Sequence, residues 1–232
     1  MSLTNYGIRE ILLGLGAFFL FTLSCVLFAK THGNPWVYAA IIPLAVLFVW
    51  LLYFFRDPLR VVPDGPGLIV SPADGVVTHV DTADEPDFIG GTALRCSIFL
   101  SIFNVHLNRA PVSGAVAFLK FRKGVFYDAR NEQSLAKNQN QDVGLLPSEP
   151  GMPQKIVVRQ STGAIARRIV CPVTMGSTLE RGEKYGMIKF GSRTTLFLSQ
   201  DAKIEWLVKK GDKVKAGDTV LARIVAETGE GR

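Results

Sequence analysis

The sequence contains little of the chemistry that most metal and nucleotide sites require. Only three cysteines and three histidines occur among 232 residues, and the cysteines have neither the spacing of metal ligands nor the number needed for a disulfide framework. Glycine-rich phosphate loops, dinucleotide-binding fingerprints and the paired histidines of zinc proteases are also missing. We therefore expect no metal, no bound nucleotide, and three buried or lipid-facing thiols in a reducing compartment.

Charged residues are also sparse. They make up 20% of the sequence against 48% for apolar residues, and the net charge is +6. The chain has no dense run of Lys or Arg, so the positive charge does not indicate nucleic acid as a partner. An anionic membrane surface fits this charge equally well.

Two long apolar runs lie near the N-terminus. Residues 11–29 and 36–55 contain no charged side chain, and each run is long enough to cross about 30 Å of hydrocarbon as a helix. The short link between them contains glycine and proline, so the sequence predicts an antiparallel transmembrane hairpin within residues 1–60. A cleavable signal peptide is the alternative for the first run, but that run lacks a clear small-residue cleavage site and the second run follows at once.

The charges beside the two runs predict the orientation of the hairpin. Arg9, Arg56 and Arg60 lie on one side of it, and Lys30 lies on the other. Cytoplasmic flanks carry the excess of Lys and Arg in membrane proteins. Both termini and the rest of the chain are therefore expected on the cytoplasmic face of the inner membrane.

The remainder of the chain, residues 61–232, consists of short apolar runs separated by Gly, Pro and Asp. This pattern predicts a β-rich domain, in which the polar residues 131–142 form a loop or a short helix. The predicted strands are residues 68–70, 75–80, 94–103, 115–121, 155–158, 164–170, 194–198, 204–207 and 219–225.

One pattern occurs twice in this domain. Gly176-Ser-Thr-Leu-Glu-Arg-Gly182-Glu and Gly211-Asp-Lys-Val-Lys-Ala-Gly217-Asp share a glycine, an apolar residue, a second glycine and an acid at the same spacing. The pattern resembles the hairpins of biotinyl and lipoyl carrier domains. The expected fold is therefore mainly β, a β-sandwich or barrel-sandwich-hybrid-like body behind the helical hairpin, although a fold alone does not give a function.

The first copy of the repeat continues into Gly191-Ser192, which this pattern places at a hairpin tip. Glycine leaves its carbonyl open to the serine hydroxyl, and a base that takes the hydroxyl proton makes Oγ a nucleophile. Attack on the Gly191 carbonyl gives an ester, elimination frees the Gly191 carboxylate, and hydrolysis of the resulting dehydroalanine leaves a pyruvoyl group at position 192. The other Gly–Ser pair ends in Ser177, which occupies the turn position of Asp212 in the repeat and is expected to form a turn.

Three histidines are candidates for the base. His32 falls in the loop predicted to lie across the membrane, and His79 alternates with apolar residues on a predicted strand, as a structural residue does. His106 follows a predicted strand, within a polar segment, which is where side chains converge on sites. Asp74 is either the acid that orients His106 or a turn residue.

Five segments together resemble the short prokaryotic form of the phosphatidylserine decarboxylase family. They follow the family order from about residue 54 to residue 197, and the last two are specific to the family. The segments are Phe55-Arg-Asp-Pro58, Ser71-Pro-Ala-Asp-Gly75, Phe99-Leu-Ser-Ile-Phe-Asn-Val-His106, Asn108-Arg-Ala-Pro-Val-Ser-Gly114 and Gly186-Met-Ile-Lys-Phe-Gly-Ser-Arg193.

The resemblance implies a proenzyme that cuts itself between Gly191 and Ser192. The products would be a β chain of residues 1–191 and an α chain of residues 192–232, with the pyruvoyl group at the start of the α chain. Because the α chain carries three predicted strands, the two products are expected to stay together until they are denatured.

The family also uses an Asp–His–Ser set for self-cleavage, which corresponds to Asp74, His106 and Ser192 here. Many long members carry a second histidine three residues after the first, where this chain has Arg109. Either His106 serves both self-cleavage and decarboxylation, or another group takes one of these tasks.

The implied activity is the decarboxylation of phosphatidylserine to phosphatidylethanolamine and CO2, a step of phospholipid biosynthesis. The pyruvoyl ketone would form a Schiff base with the serine amine and act as the electron sink, so neither pyridoxal phosphate nor a metal is expected. A homodimer is left open, and the partners expected are anionic membrane lipids. The basic residues expected at the lipid phosphate or headgroups are Arg56, Arg60, Arg122 and Lys123.

Two other functions compete with this one. A non-enzymatic, membrane-anchored carrier would need a modifiable lysine at the hairpin tip, where Lys189 is nearby. A pyruvoyl decarboxylase of a soluble amino acid would share the chemistry but has no evident need for a two-helix anchor.

Overall fold

The computed structural model describes residues 2–131 and 133–225. The chain divides between Leu59 and Arg60 into two compact units. The first unit contains the apolar helices, and the second is the β-rich body.

The helical unit contains both predicted helices. They are α1, Ile8–His32, and α2, Ile41–Phe54. A short 3-10 helix over Asn5–Gly7 leads into α1. Another 3-10 helix over Pro35–Ala40 precedes α2, so the second predicted helix is not α-helical throughout. Its start is set by proline in the first turn and by the side chain of Asn34, which accepts a hydrogen bond from the backbone N of Trp36.

The two helices pack against each other in antiparallel fashion. A Cβ atom on Gly14 would lie 2.7 Å from Cδ2 of Leu51, and the rings of Phe18 and Phe48 stack at 5.7 Å between centroids. Gly14 of α1 faces Leu51 of α2, and the later residue Phe18 faces the earlier residue Phe48, so the two helices run in opposite directions. Together with the 3-10 helices that precede them, α1 and α2 form the spans Asn5–His32 and Pro35–Phe54, which by length and composition are able to cross a membrane.

The strands confirm that the body is mainly β. They number from β1 to β16 among the described residues, and α3 is a short helix at Gln133–Lys137. The strands are β1 Ser2–Leu3, β2 Arg56–Asp57, β3 Leu68–Val70, β4 Gly75–Glu85, β5 Gly91–Leu100, β6 Leu107–Arg109, β7 Gly114–Arg122, β8 Asn140–Pro147, β9 Ile156–Thr162, β10 Arg168–Val170, β11 Thr178–Leu179, β12 Lys184–Lys189, β13 Ser192–Leu198, β14 Ile204–Trp206, β15 Lys213–Val214 and β16 Val220–Ile224.

The body is arranged as one large curled sheet and two small sheets. The eight-stranded sheet has the order β11-β7-β8-β9-β13-β5-β4-β15, and the small sheets have the orders β10-β12-β6 and β14-β16-β3. β1 and β2 pair with each other in the helical unit. The core of the body lies inside the curled sheet and includes Ile98, Leu145, Ile156 and Leu196, all of them buried. β13 lies near the middle of the large sheet, paired on both sides.

The internal repeat is real in three dimensions. Each copy supplies a short strand that pairs with a longer strand of the large sheet, β11 with β7 and β15 with β4. The glycines at both ends of each copy adopt positive φ and donate the same backbone hydrogen bonds. The matching bonds are Gly176 N to Val116 O and Gly211 N to Val77 O, then Gly182 N to Ala110 O and Gly217 N to Ser71 O, each of 2.8 Å.

The polar segment 131–142 is only in part a loop or a short helix. It contains α3, but β8 begins within it, so the sequence pattern missed this strand. The pattern fails because Asn140 and Asp142 point into the protein, where Arg122 donates to both side chains. A buried strand with polar inward residues does not show the apolar alternation on which strand prediction relies.

Asp142 is the centre of a buried ionic cluster. Its carboxylate is fully buried and accepts from Nη1 of Arg122 and from Nε of Arg159, both at 2.7 Å. Burial alone would lower the pKa of Arg122, but its hydrogen bonds to Asp142 and Asp87 outweigh burial and raise that pKa. The cluster therefore holds β7, β8 and β9 together through charge.

We expect the change Asp142→Asn to lower the free energy of unfolding by about 3 kcal/mol. This is the low end for breaking a buried ion pair, since both guanidinium groups keep some solvent contact. The matched control is Asp81→Asn, which breaks the more exposed pair with Arg95 and should cost less than about 1 kcal/mol. Thermal unfolding of the full chain in detergent measures both, and equal shifts would contradict the central role of Asp142.

Candidate functional site

The bond between Gly191 and Ser192 lies at a corner between two sheets. β12 ends at Lys189 in a small sheet and β13 begins at Ser192 in the large sheet, so the chain turns within Phe190 and Gly191. Phe190 has φ +70°, the one positive φ of a non-glycine among the described residues, and Gly191 has φ +64°. A positive φ strains a bulky residue, so the corner stores strain next to this bond.

The expectation of a hairpin tip is therefore wrong. β12 pairs with β6 and β10, whereas β13 pairs with β5 and β9, so the two strands beside the turn do not pair with each other. The repeat suggested a hairpin because the sequence pattern there is a strand, a tight turn and a second strand. The pattern does not reveal that these two consecutive strands belong to different sheets.

Ser192 is fully buried at the first position of β13. It lies opposite Leu100 of β5 and Thr162 of β9. Its Oγ has no hydrogen-bond partner among the described residues. Burying a hydroxyl without a partner costs free energy, and such groups in native structures commonly have a chemical role.

His106 lies directly beside this corner. It is fully buried, and its Nε2 lies 3.1 Å from the backbone N of Gly191, while its Nδ1 lies 3.0 Å from the carbonyl O of Asn104. A carbonyl only accepts and a backbone N–H only donates, so Nδ1 carries the proton and Nε2 presents a lone pair. The imidazole is thus held in the neutral tautomer that acts as a base at Nε2.

The carboxylate of Asp74 binds an arginine and a turn of the repeat. Its carboxylate accepts two hydrogen bonds from Nη2 of Arg60, at 2.9 and 2.7 Å, and one from the backbone N of Ala216, at 2.8 Å. The group that orients His106 at Nδ1 is the carbonyl of Asn104. The role of Asp74 in self-cleavage stays a prediction.

The other half of the body offers a structural counterpart of Asp74. The hydroxyl of Ser113 accepts from the backbone N of Arg181 at 3.0 Å, in the turn equivalent to that of Ala216. Both side chains thus tie the start of a long strand to a repeat turn. Asp74 therefore has the turn role that the sequence left open for it, and in addition it forms an ion pair with Arg60.

A cavity of about 300 Å³ reaches the same corner. Gly191 is part of its wall, with Ile102 and Ile165 from the loops on either side, and an ion pair of Asp128 with Arg130. Hydrogen bonds from Arg130 are the main cause that lowers the pKa of Asp128. The cavity gives a small molecule access to the carbonyl side of the corner, and its wall combines apolar and charged groups.

Gly163 was not predicted from the sequence, and it packs against the carbonyl of Gly191. A Cβ atom at this position would lie 2.6 Å from the carbonyl O of Gly191 and 3.3 Å from its C. Only a residue without a side chain fits there, because real Cβ atoms do not approach an oxygen so closely. No local pattern marks this glycine, since its neighbour is distant in sequence.

The other candidates from the sequence have different surroundings. His32 is exposed at the end of α1, and His79 is half-buried on β4 and hydrogen-bonds Thr78. Ser177 donates to the carbonyl of Thr174, which is the turn role expected for it. Lys189 is 5% exposed, so it is not displayed as a carrier lysine would be.

The four basic residues expected at lipid phosphate have different surroundings. Arg60 is bound to Asp74, and Arg122 is bound to Asp87 and Asp142, so both are engaged by carboxylates of the body. Arg56 stacks on the ring of Tyr53 at 3.7 Å, and Lys123 is exposed. Their contact with lipid stays a prediction.

One group of acids has the spacing of metal ligands. Oxygen atoms of Glu85, Asp87 and Asp142 lie within 4.8 Å of one another. Three cations already neutralise them, and these are Lys120, Arg122 and Arg159. The group is therefore read as part of the ionic cluster rather than as a metal centre.

Comparison with known proteins adds the family to this geometry. The family model described as phosphatidylserine decarboxylase matches residues 47–222. A phosphatidylserine decarboxylase proenzyme of Desulfotalea psychrophila is 45% identical over 174 residues, covering 75% of this chain and 79% of the relative. Proenzymes of the same name from Rhodopirellula baltica and Chlorobium limicola are 42% and 39% identical, covering 90% and 95% of this chain and 86% and 99% of the relatives.

The change Gly163→Ala is expected to slow any reaction at the Gly191 carbonyl by at least about tenfold. The added methyl would displace this carbonyl, and small displacements of reacting atoms carry such costs. Gly91→Ala is the matched control, because a Cβ at Gly91 meets no atom within 4 Å. Chain cleavage followed by denaturing gel and intact mass measures the effect, and equal rates for the two variants would contradict it.

Proposed function

This chain belongs to the phosphatidylserine decarboxylase family, and we propose that it is a proenzyme that cuts its own chain between Gly191 and Ser192. The observation that carries the proposal is the neutral Nε2 of His106, which is hydrogen-bonded to Gly191, next to the buried and unpartnered hydroxyl of Ser192. The relatives are named as decarboxylases, so the activity that follows cleavage is that of a carboxy-lyase.

Self-cleavage begins with a proton transfer from Ser192 to His106. For this, Nε2 exchanges the N–H of Gly191 for the hydroxyl of Ser192, one residue further along the chain. Oγ then attacks the Gly191 carbonyl, the bond to the Ser192 nitrogen breaks, and that nitrogen takes the proton from the imidazole. The product is an ester between Gly191 and the Ser192 side chain.

Two further steps complete the cleavage. Removal of the Cα proton of Ser192 expels the Gly191 carboxylate and leaves a dehydroalanine at position 192. Its tautomer, an imine, takes up one water and loses ammonia, which gives the pyruvoyl group. Atoms balance with water as the only added reactant. The strained φ of Phe190 favours release, since the chain end at Gly191 is then free to relax.

The pyruvoyl group would supply a ketone that condenses with the amine of phosphatidylserine. It would then act as the electron sink when CO2 is lost. The residues around it keep separate tasks. His106 holds or returns a proton at Nε2, and its tautomer is fixed by Asn104. The cavity at Gly191 admits the headgroup, while Arg130 and Asp128 on its wall offer both signs of charge to a zwitterionic group.

The fragment that begins at Ser192 stays in place after cleavage. β13 is paired with β5 and β9, β15 with β4, and β16 with β3, all from the first fragment. These ladders hold the new N-terminus at the corner where the bond was. The two chains form one enzyme.

The helical hairpin anchors this enzyme to its substrate. The helical spans Asn5–His32 and Pro35–Phe54, which include the 3-10 segments before α1 and α2, are long and apolar enough to cross the bilayer. A diacyl lipid leaves the bilayer only at a cost of about 0.8 kcal/mol per buried CH2. The basic flanks, Arg9, Arg56 and Arg60 against Lys30, support an orientation with the body on the cytoplasmic face of the inner membrane. The product, phosphatidylethanolamine, then enters phospholipid biosynthesis in the same membrane.

Ser192→Ala is expected to abolish chain cleavage and decarboxylase activity, since it removes the nucleophile and the source of the ketone. Ser177→Ala, at the other Gly–Ser pair, is the matched control and should leave both unchanged, because Ser177 only closes a turn. Intact mass of the denatured protein measures cleavage. Release of CO2 from phosphatidylserine in detergent, compared with free serine, measures activity.

Three results bear against the proposal. Cleavage of the Ser192→Ala chain at the same bond would exclude Ser192 as the nucleophile. A wild-type fragment that starts with serine rather than an α-keto acyl group would exclude the pyruvoyl product. Turnover of free serine as fast as phosphatidylserine would point to a decarboxylase of soluble amino acids.

A further inference from the structure

A buried hydrogen-bonded cluster joins β6, which His106 directly precedes, to β13, which begins at Ser192. We call it the amide clamp, and it consists of Asn108, Gln160 and Thr194, all fully buried. Nδ2 of Asn108 donates to Oγ1 of Thr194 at 2.9 Å, and Oδ1 of Asn108 accepts from Nε2 of Gln160 at 2.8 Å. Nδ2 also donates to the carbonyl O of Pro72 at 3.2 Å, which fixes the orientation of the amide.

The clamp lies at the same distance along the chain from both reacting side chains. His106 precedes Asn108 by two residues, and Ser192 precedes Thr194 by two residues on β13. Side chains two residues apart on a strand point to the same face. The bond from Asn108 to Thr194 is therefore a direct side-chain tie between the segment of the base and the strand of the nucleophile.

We propose that Asn108 is a positioning residue that sets the distance between the imidazole of His106 and the hydroxyl of Ser192 through its bond to Thr194. This inference rests on the proposed self-cleavage. Asn108 would affect the rate of that cleavage indirectly, by holding Thr194 in place. Asn108 touches neither the scissile bond nor the catalytic atoms.

The chemistry of the clamp requires an amide at this position. The side chain must donate twice, to Thr194 and to Pro72, and accept once, from Gln160. Among side chains of this size only asparagine does both. Oε1 of Gln160 has no hydrogen-bond partner among the described residues, so the three bonds of Asn108 are what holds the cluster in one geometry.

β13 also carries a buried hydroxyl hydrogen bond that does not involve the His106 segment. Thr195 is fully buried and hydrogen-bonds the hydroxyl of Ser97 at 3.1 Å, between β13 and β5. It points to the opposite face of β13 from Thr194. Removing the hydroxyl of Thr195 takes one buried hydrogen bond from β13, as removing that of Thr194 does. It leaves the bond between Asn108 and Thr194 intact.

The test compares three variants of the full chain, synthesised cell-free into phospholipid nanodiscs with a pulse of labelled amino acid. Thr194→Val keeps the shape of the side chain and removes the acceptor for Asn108, and it should slow cleavage about 10- to 100-fold, as misplacement of reacting groups does. Thr194→Ser restores the hydroxyl and should cleave within about threefold of wild type. Thr195→Val should cleave at close to the wild-type rate although its melting temperature falls by a similar amount.

A second readout separates positioning from general damage. Neutral hydroxylamine cleaves esters and spares amides, so it reports how much ester has formed at Ser192. The clamp acts before the ester, and hydroxylamine should therefore fail to restore cleavage of Thr194→Val. If Thr194→Val does not fold, Thr194→Cys replaces it, since its thiol is a much weaker acceptor, and the same direction is expected.

The outcomes separate this inference from the proposed function. A wild-type chain that never cleaves refutes the self-processing itself. A wild-type chain that cleaves while Thr194→Val cleaves as fast, or while Thr195→Val is slowed as much as Thr194→Val, overturns the clamp and leaves self-processing in place. Rapid cleavage of Thr194→Val with hydroxylamine places the effect after ester formation and also overturns it.

Discussion

The structure depends on one constraint, which is that the peptide bond before Ser192 must turn a corner between two sheets. On its N-terminal side β12 is held by β6 and β10, and on its C-terminal side β13 is held by β5 and β9. Neither strand has freedom to shift, so the turn falls on Phe190 and Gly191 at positive φ. Strain persists at a site only where the surrounding structure imposes it, and here two sheets do so.

Duplication explains how the body builds such a corner and why only one half carries the site. The two small sheets correspond strand by strand, and the carbonyl of His106 accepts from Ile188 N as the carbonyl of Gly67 accepts from Ile224 N. One copy thus has an imidazole where the other has no side chain. A symmetric frame holds both halves, and a few residues such as His106 and Ser192 give one half its chemistry.

The sequence predicted what is local and missed what depends on partners distant along the chain. Gly191, Ser192 and His106 belong to short motifs, and the two apolar helices follow from composition, so these were predictable. β8 was missed because its inward polar residues bind arginines of other strands. The corner was predicted as a hairpin because the sequence of a strand does not indicate which strand it pairs with. The fit of Gly163 against Gly191 arises only when β9 and β13 lie side by side.

Burial decides which groups are able to cut the bond. Ser192 and His106 are fully buried, so the proposed cleavage uses a base and a nucleophile that already lie inside the body. The same burial would keep the product of the proposed cleavage in place, because the ladders of β13 would hold the new chain end within the sheet. The cavity at Gly191 then lies on the side of the chain end that cleavage sets free. The proposed cleavage would relieve the strained corner, and the freed end at Gly191 would form the part of the cavity wall that opens toward a substrate.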